Sequence, residues 1–244
     1  MIASNQPTCF PPDVLVAVSS RSDGTMLDRP RGVHHPEVVA SRRSFCQKNG
    51  IVYDDVVYQR IVYGEKRRYD CMAEVDCGMT TAYTSELMAD GLFTKERGVA
   101  LFLPVSDCIA AVLYDPVAKH LAMLHLGRHS TIAGLMRRGI AAFLQADSRP
   151  EDIVVWMSPS AQAETYVMQY FDQANKSDWR DFYRQSPEGI HLDMQGYNAA
   201  VCRRAGIPAA NIHCSPINTM TNPDYFSHAC GERSGRIAVV AMML

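Results

Sequence analysis

Apolar residues recur in short blocks from Val14 to the last residue, and the spacing within each block predicts its element. "VLVAVSS" reads as an opening strand, followed by the polar loop "RSDGTMLDRPRGVHH". "PEVVASRRSFCQKNG", begun by Pro36 and closed by Gly50, reads as a helix. "DVVYQRIVY", residues 55–63, is rich in β-branched and aromatic residues and predicts a strand. In the middle, "VALFLPV", "CIAAVLYD" and "HLAMLHLG" predict three strands that are apolar on both faces, as in sheets covered on each side. After Gly127, residues Ile132, Leu135, Met136, Ile140, Phe143 and Leu144 fall at helical spacing, with Ser130 or Thr131 available as N-cap. "DMQGYNAAVCRRAGIP" carries Asp193 as cap, Arg203 and Arg204 in the last turn, Gly206 as terminator and Pro208 beyond, which predicts a second helix of this region. Strands "NIHCSP" and "GRIAVVAMML" follow, the Met-rich tail being a core strand. The mixture predicts a single α/β (α+β) domain over 1–244, without the strict alternation of a doubly wound sheet.

The remaining bulk properties narrow the function classes. A formal net charge of −2 gives no general attraction to nucleic acid or acidic membranes, which leaves small molecules or proteins as partners. The longest apolar tract, "IAVVAMML" at 237–244, is far shorter than the roughly 20 residues that span a bilayer. The N-terminal stretch has no basic start and is interrupted by prolines, unlike a signal peptide, so a cytoplasmic location is expected. Eight cysteines without a C-x-x-C pair are expected to be reduced thiols, mostly small buried hydrophobes.

Chemistry concentrates in "SDCIAAVLYDPVAKHLAMLH", residues 106–125. Asp115-Pro116 is a turn signal, and a two-residue turn at Pro116-Val117 sets Cys108 directly opposite His125 on antiparallel strands. A thiol beside an imidazole serves as an activated nucleophile or as two-thirds of a zinc site. The helix start at "GRHST" and Arg128 add positive potential suited to a phosphate or oxyanion. Asp107 is placed to orient His125, to bind substrate or to cap backbone.

The order of segments then resembles the YfiH-like family, known as laccase-domain or multicopper polyphenol oxidase proteins and as purine nucleoside phosphorylases. "DGLFTKERGVALFLPVSDC" is similar to the family's T…G…L…ADC stretch, "LHLGRHSTIAGLMRRGI" to H-A-G-W-R-G…GI, and "DYFSHACGERSGRIAVV" to F-F-S-Y-R-R…TGR. "SPSAQAETY" and "LDMQGYNAAVCRRAGI" stand where the family has G-P-x-I…C-Y and an L-D-L helix. The resemblance covers most of the chain. It implies an α/β sandwich, mixed sheets with covering helices, similar to the catalytic domain of cytotoxic necrotizing factors and a bacterial chemotaxis deamidase. It also implies phosphorolysis of purine nucleosides with adenosine deamination as a related activity, and zinc or copper held by a His-Cys-His set. Carried over, the cysteine of ADC falls on Cys108 and the histidine of HAGWRG on His125. The family's Q-x-H-G is "QRIVYGEK" here, which puts Tyr63 at the first histidine; His34, His35, His129 and His228 are the candidate substitutes. Arg128 replaces the tryptophan and His129 the arginine of HAGWRG, Ser106 replaces the alanine of ADC, and Arg233 and Arg236 lie near the C-terminal arginines. Substrate contacts are therefore expected from Tyr63, Asp107, Arg128, His129 and Arg233.

Three functions follow: a divergent phosphorylase or deaminase with Cys108 and His125 as catalytic or metal-holding residues; a metal-free cysteine hydrolase or deamidase with Cys108 as nucleophile and His125 as base; or a binding protein whose site no longer reacts. A phenol oxidase is least favoured, because no further His-x-His cluster of the kind copper chemistry needs is present.

Overall fold

The apolar blocks of the middle of the chain become strands buried along their whole length, because a sheet lies on one side of them and helices or a second sheet on the other. The computed structural model describes residues 6–64 and 67–244. One sheet is built from β1 (Val14–Val18), β14 (Ile237–Met243), β6 (Ala100–Val105), β2 (Val56–Arg60) and β4 (Leu87–Met88), side by side in that order. The other runs β13 (Ile212–Cys214), β9 (Val154–Met157), β7 (Ile109–Asp115), β8 (His120–Leu126), β5 (Gly91–Thr94) and β3 (Met72–Glu74). A small third sheet joins β10 (Val167–Met168), β12 (Gly189–Leu192) and β11 (Tyr183–Ser186).

The period-two alternation of side chains sorts these strands into layers. Leu101 and Leu103 of β6 meet Ala110, Val112 and Tyr114 of β7 and Leu121 and Met123 of β8 in the core between the two large sheets. The opposite face of the first sheet, with Val56, Tyr58 and Phe102, packs on Phe45 and Cys46 of α1 (Pro36–Lys48). The opposite face of the second, with Ala111, Leu113, Ala122 and Leu124, packs on α3 (Leu135–Gln145) and α4 (Met194–Arg204). The result is the expected α/β sandwich of mixed sheets with covering helices. Asp193 caps α4 by accepting from Gly196 N at 2.7 Å, as its sequence pattern requires.

Four expectations are corrected. The helix after Gly127 is broken in two, because Gly134 adopts φ +87; α2 (Arg128–Ala133) ends there and α3 begins. Leu144, counted on its apolar face, is exposed, while Leu135, Met136, Ile140 and Phe143 are buried. The strand foreseen over 55–63 stops at Arg60. The cysteines divide evenly rather than being mostly buried: Cys71, Cys77, Cys214 and Cys230 are exposed, and all eight are free thiols. Among the described residues, no helix is long and apolar enough to cross a membrane.

The β7–β8 turn is wider than a two-residue hairpin. Asp115 Oδ1 accepts from Val117 N at 2.8 Å and Ala118 N at 2.9 Å, and Lys119 takes φ +58, which holds a loop over 116–119. Asp115 consequently faces His120, and His125 faces Ala110 rather than Cys108.

α3 approaches the second sheet so closely that a Cβ on Gly139 would lie 2.6 Å from a Leu124 methyl carbon. Leu124 is fully buried next to His125. Leu124→Ala is expected to cost about 2–5 kcal/mol through lost burial and the cavity left behind, read as a lower urea midpoint at unchanged slope.

Candidate functional site

The same alternation that builds the inter-sheet core carries two reactive side chains to its end. His125 is in step with Leu121 and Met123, and Cys108 continues the face of Ala110 and Val112, so both point between the sheets. Moving the register by two residues leaves a side chain on its original face, which is why the pair converges although it is not directly opposed. Where the core stops, a cavity of about 880 Å³ opens, with Cys108 and His125 in its wall.

Gly127, not His125, lies where the β7–β8 ladder continues across from Cys108. A Cβ there would stand 3.0 Å from Cys108 Sγ, 3.3 Å from His125 Cε1 and 3.7 Å from Nε2. The thiol and the imidazole thus meet over a position that only glycine leaves open. His125 is held by its backbone: N donates to Asp90 O at 2.9 Å, and O accepts from Ser130 Oγ at 2.6 Å. Among the described residues, its buried Nδ1 has no hydrogen-bond partner.

Asp107 turns the chain between β6 and β7 at φ +66, a left-handed conformation that aspartate tolerates better than most residues. Its carboxylate accepts from Thr219 Oγ1 at 2.8 Å, Ala229 N at 2.8 Å and Ser227 Oγ at 3.2 Å. These bonds tie segments 219 and 227–229 to the cavity wall and involve no bond to His125. Asp107 therefore positions loops rather than orienting the imidazole.

Burial and neighbouring charge leave both reactive groups neutral. Removal from water first, and Asp107 second, push the Cys108 thiol up to about 11. Burial first, then the guanidinium groups of Arg29 and Arg67, hold His125 down at about 4. A thiolate–imidazolium pair of the kind found in cysteine nucleophiles is opposed by both shifts.

Of the residues expected to contact substrate, Tyr63, Asp107, Arg128 and His129 line the cavity and Arg233 does not. Arg233 is exposed, and the cavity-lining arginine of that ending is Arg236, three positions on. The Tyr63 ring stands edge-on to His125 with centroids 6.4 Å apart, and the Arg29 guanidinium lies 4.9 Å from its centre. Tyr69 stacks on His129 at 5.0 Å and 21°. The Tyr69 hydroxyl bonds to Gly64, and Arg67 pairs with fully buried Asp90 at 2.9 Å, which braces this aromatic wall against β8. Arg29, Tyr69, Tyr166 and the Arg67–Asp90 brace escaped the sequence reading, because they come from loops and carry no motif. Only the SGR tripeptide signalled Arg236.

The metal expectation turns on the donor set. His34, His129 and His228 line the cavity and His35 does not, yet among the described residues no group of three His, Cys, Asp or Glu side chains could hold an ion. Cys108 and His125 supply two donors, and the third side chain, Tyr63, is a phenol that is nearly half exposed. This set does not fit a three-donor zinc or copper site.

A layered α/β sandwich with a thiol and an imidazole meeting in a cleft between its sheets defines a class, and sequence comparison identifies it. The chain belongs to the multi-copper polyphenol oxidoreductase laccase family, whose model matches residues 27–244. It is 25% identical over 211 residues to a purine nucleoside phosphorylase of Streptomyces griseus, covering 82% of this chain and 79% of that one. It is 26% identical over 217 residues to an adenosine deaminase from an unknown prokaryotic organism, with the same shares covered. The fold matches that of the hypothetical protein YfiH of Bacillus licheniformis with a TM-score of 0.81 at 21% identity, over 95% of this chain and 93% of the other. YlmD from Geobacillus stearothermophilus matches with a TM-score of 0.81 at 20% identity, over 97% and 94%.

Two predictions follow from the neutral pair. With its thiol near 11, Cys108 is thiolate to only about one part in 10⁴ at pH 7, so iodoacetamide should label it more slowly than an exposed cysteine and faster as pH rises. Rapid selective labelling of Cys108 at pH 7 contradicts this. An imidazole near 4 when folded and near 6.5 when unfolded lets the unfolded chain bind more protons between those values. Stability from His125 is therefore present above pH 6.5 and lost as pH falls toward 4, by up to about 3 kcal/mol. Urea unfolding of the parent and His125→Gln across this window should show a shrinking gap on acidification; a constant gap refutes the shift.

Proposed function

We propose that this protein acts on purine nucleosides, with phosphorolysis as its principal reaction. The carrying observation is the composition of the cavity wall: Arg29, Arg128 and Arg236 together with the rings of Tyr63, Tyr69 and His129 surround Cys108 and His125. A nucleoside presents a flat base for stacking, and an attacking phosphate presents anionic oxygens for guanidinium groups. A volume of about 880 Å³ lies near the top of the roughly 300–1,000 Å³ usual for ligand sites and accommodates both reactants. The relatives named as purine nucleoside phosphorylase and adenosine deaminase support the same substrate class.

In phosphorolysis a phosphate oxygen bonds to C1′ while the bond from C1′ to the base nitrogen breaks. The electron pair leaves with the purine, which then takes a proton. The work for the protein is to align the anion, to stack the base and to hydrogen-bond the leaving base. Arginine does the first and the aromatic wall the second. Cys108, protonated at neutral pH, offers a donor, and unprotonated His125 offers an acceptor. No step here depends on a metal ion.

A second reading, a metal-free cysteine hydrolase or deamidase, is favoured by the convergence of thiol and imidazole with only two good metal donors. It is opposed by the protonated state of the thiol and by the absence of an acid–imidazole bond from Asp107.

Purified protein incubated with inosine, guanosine or adenosine is expected to release free base only when inorganic phosphate is present. Cys108→Ala and His125→Ala should each lower kcat/KM by about 10²–10⁴. Release of ammonia from adenosine without phosphate would move the assignment to deamination; a folded protein that turns over no purine nucleoside by either route would overturn the proposal.

A further inference from the structure

A serine and a histidine outside the cleft are joined in a geometry that the nucleoside reading leaves unused. Ser186 and His191 lie on β11 and β12 of the small sheet, and neither lines the cavity of Cys108 and His125. Ser186 pairs with Gly189 and Arg184 with His191, so the two-residue turn Pro187-Glu188 brings Ser186, Arg184 and His191 onto one face. Gly189 holds φ +140, and a Cβ there would stand 2.6 Å from Met168 O, so close packing of β12 on β10 fixes the turn. His191 Nδ1 lies 2.9 Å from Ala163 O. A carbonyl only accepts, so Nδ1 carries the hydrogen of the neutral ring and Nε2 keeps its lone pair. That lone pair faces Ser186 Oγ at 2.9 Å, whereas the alternative acceptor, Gly189 O, is 3.4 Å away. The hydroxyl therefore donates to the imidazole, while Glu188 N donates to Oγ at 3.2 Å. His191 is 4% exposed and held in one orientation, whereas Ser186 is half-buried between the exposed Gln185 and Pro187.

We propose that Ser186 is a second nucleophile of the chain, accepting small acyl and phosphonyl groups from activated esters and fluorophosphonates with His191 as its base. In the acyl case, Ser186 Oγ bonds to the ester carbonyl carbon and its proton passes to His191 Nε2. The bond from that carbon to the alcohol oxygen then breaks, and the alcohol leaves with the electron pair and takes the proton from Nε2. Water adds to the acyl carbon in the same way and returns the hydroxyl to Ser186. With a fluorophosphonate the new bond is to phosphorus, fluoride leaves with the electron pair, and the proton passes from Nε2 to water. Arg184 offers an exposed cation on the same face for the oxygen that gains negative charge. Ala163 O steadies Nδ1–H as the ring becomes imidazolium. The Glu188 carboxylate is 3.9 Å from Nε2, and its exposure keeps that contribution small. The site uses none of the residues assigned to nucleoside cleavage and does not rest on that reading.

The test incubates the full chain with a biotinylated fluorophosphonate and identifies the labelled peptide by mass spectrometry, with melting temperature as the folding control. The folded parent is expected to carry the phosphonyl group on Ser186, and denatured protein is not. Ser186→Ala should lose this label, whereas Cys108→Ala and His125→Ala should label Ser186 as the parent does. His191→Gln keeps a donor for Ala163 O but brings no basic nitrogen, and should label at least about 100-fold more slowly. Imidazole added to His191→Gly should speed labelling at least about tenfold, which a histidine of purely structural value would not show. A folded parent that acquires no phosphonyl group on Ser186 overturns the proposal, as does equal labelling of the parent and His191→Gln. So does a His191→Gly variant with the parent's melting temperature that imidazole does not speed. Labelling of Ser186 in a protein that turns over no purine nucleoside keeps this site and removes the nucleoside reading of the cleft.

Discussion

The pairing of β7 with β8 is the constraint on which the site depends. Each of their residues is buried, alternately against the facing sheet and against the helices, so a slip by one position would exchange two cores at once. Leu113 and Leu124 would leave the helices, and Val112 and Met123 would leave the sheet. That cost fixes the register along the ladder, and the register in turn fixes where the ladder ends. Cys108 and His125 are the last inward-facing positions before the inter-sheet core opens to the cavity. Their convergence is thus underwritten by hydrophobic packing some distance away, with no hydrogen bond needed between them.

Electrostatics then give the cleft its character. In a chain with a net charge of −2, the cleft gathers Arg29, Arg128 and Arg236, while the nearby carboxylates are engaged elsewhere. Asp107 holds Thr219, Ser227 and Ala229, and Asp90 holds Arg67 and the Cys71 amide. With their negative charge directed into the scaffold, the cavity keeps an excess of positive potential. The same cations and the same burial depress His125 and leave it unprotonated. A neutral imidazole and a protonated thiol are the opposite of the ion pair that a cysteine nucleophile requires.

What the sequence disclosed follows physical rules that can be named. The layered fold was legible because unbroken apolar runs mark strands covered on both faces. The Cys108–His125 pair was legible even though the turn length was misjudged, since the Asx-type bonds of Asp115 widened the loop by two residues and a two-residue error preserves the face. A one-residue error would have separated the pair. Loop residues obey no such parity. Arg29 and Tyr69 reach the cavity through tertiary folding of segments far from β7 and β8, and the C-terminal motif points to Arg233 although Arg236 lines the cavity, because a motif marks a neighbourhood and not the direction of a side chain. Gly134 lay unnoticed in a helical pattern because periodicity records apolar spacing and is silent about backbone sign.

Gly127 is where the packing of the cleft bears most directly on Cys108 and His125. Its backbone, at φ −88 and ψ 179, is open to any residue, so no turn or left-handed conformation requires glycine there. Glycine at such a position costs about 0.5–1 kcal/mol in conformational entropy relative to alanine. Alanine would regain that entropy, but its methyl group would crowd both reactive side chains. The methyl would stand 3.0 Å from the sulfur and 3.3 Å from the imidazole carbon. What its absence preserves is the joint approach of these two groups to the cavity. Close contact with the sulfur and the ring is enough to favour glycine here, and it leaves both groups bordering the cavity that Arg29, Arg128 and Arg236 also line.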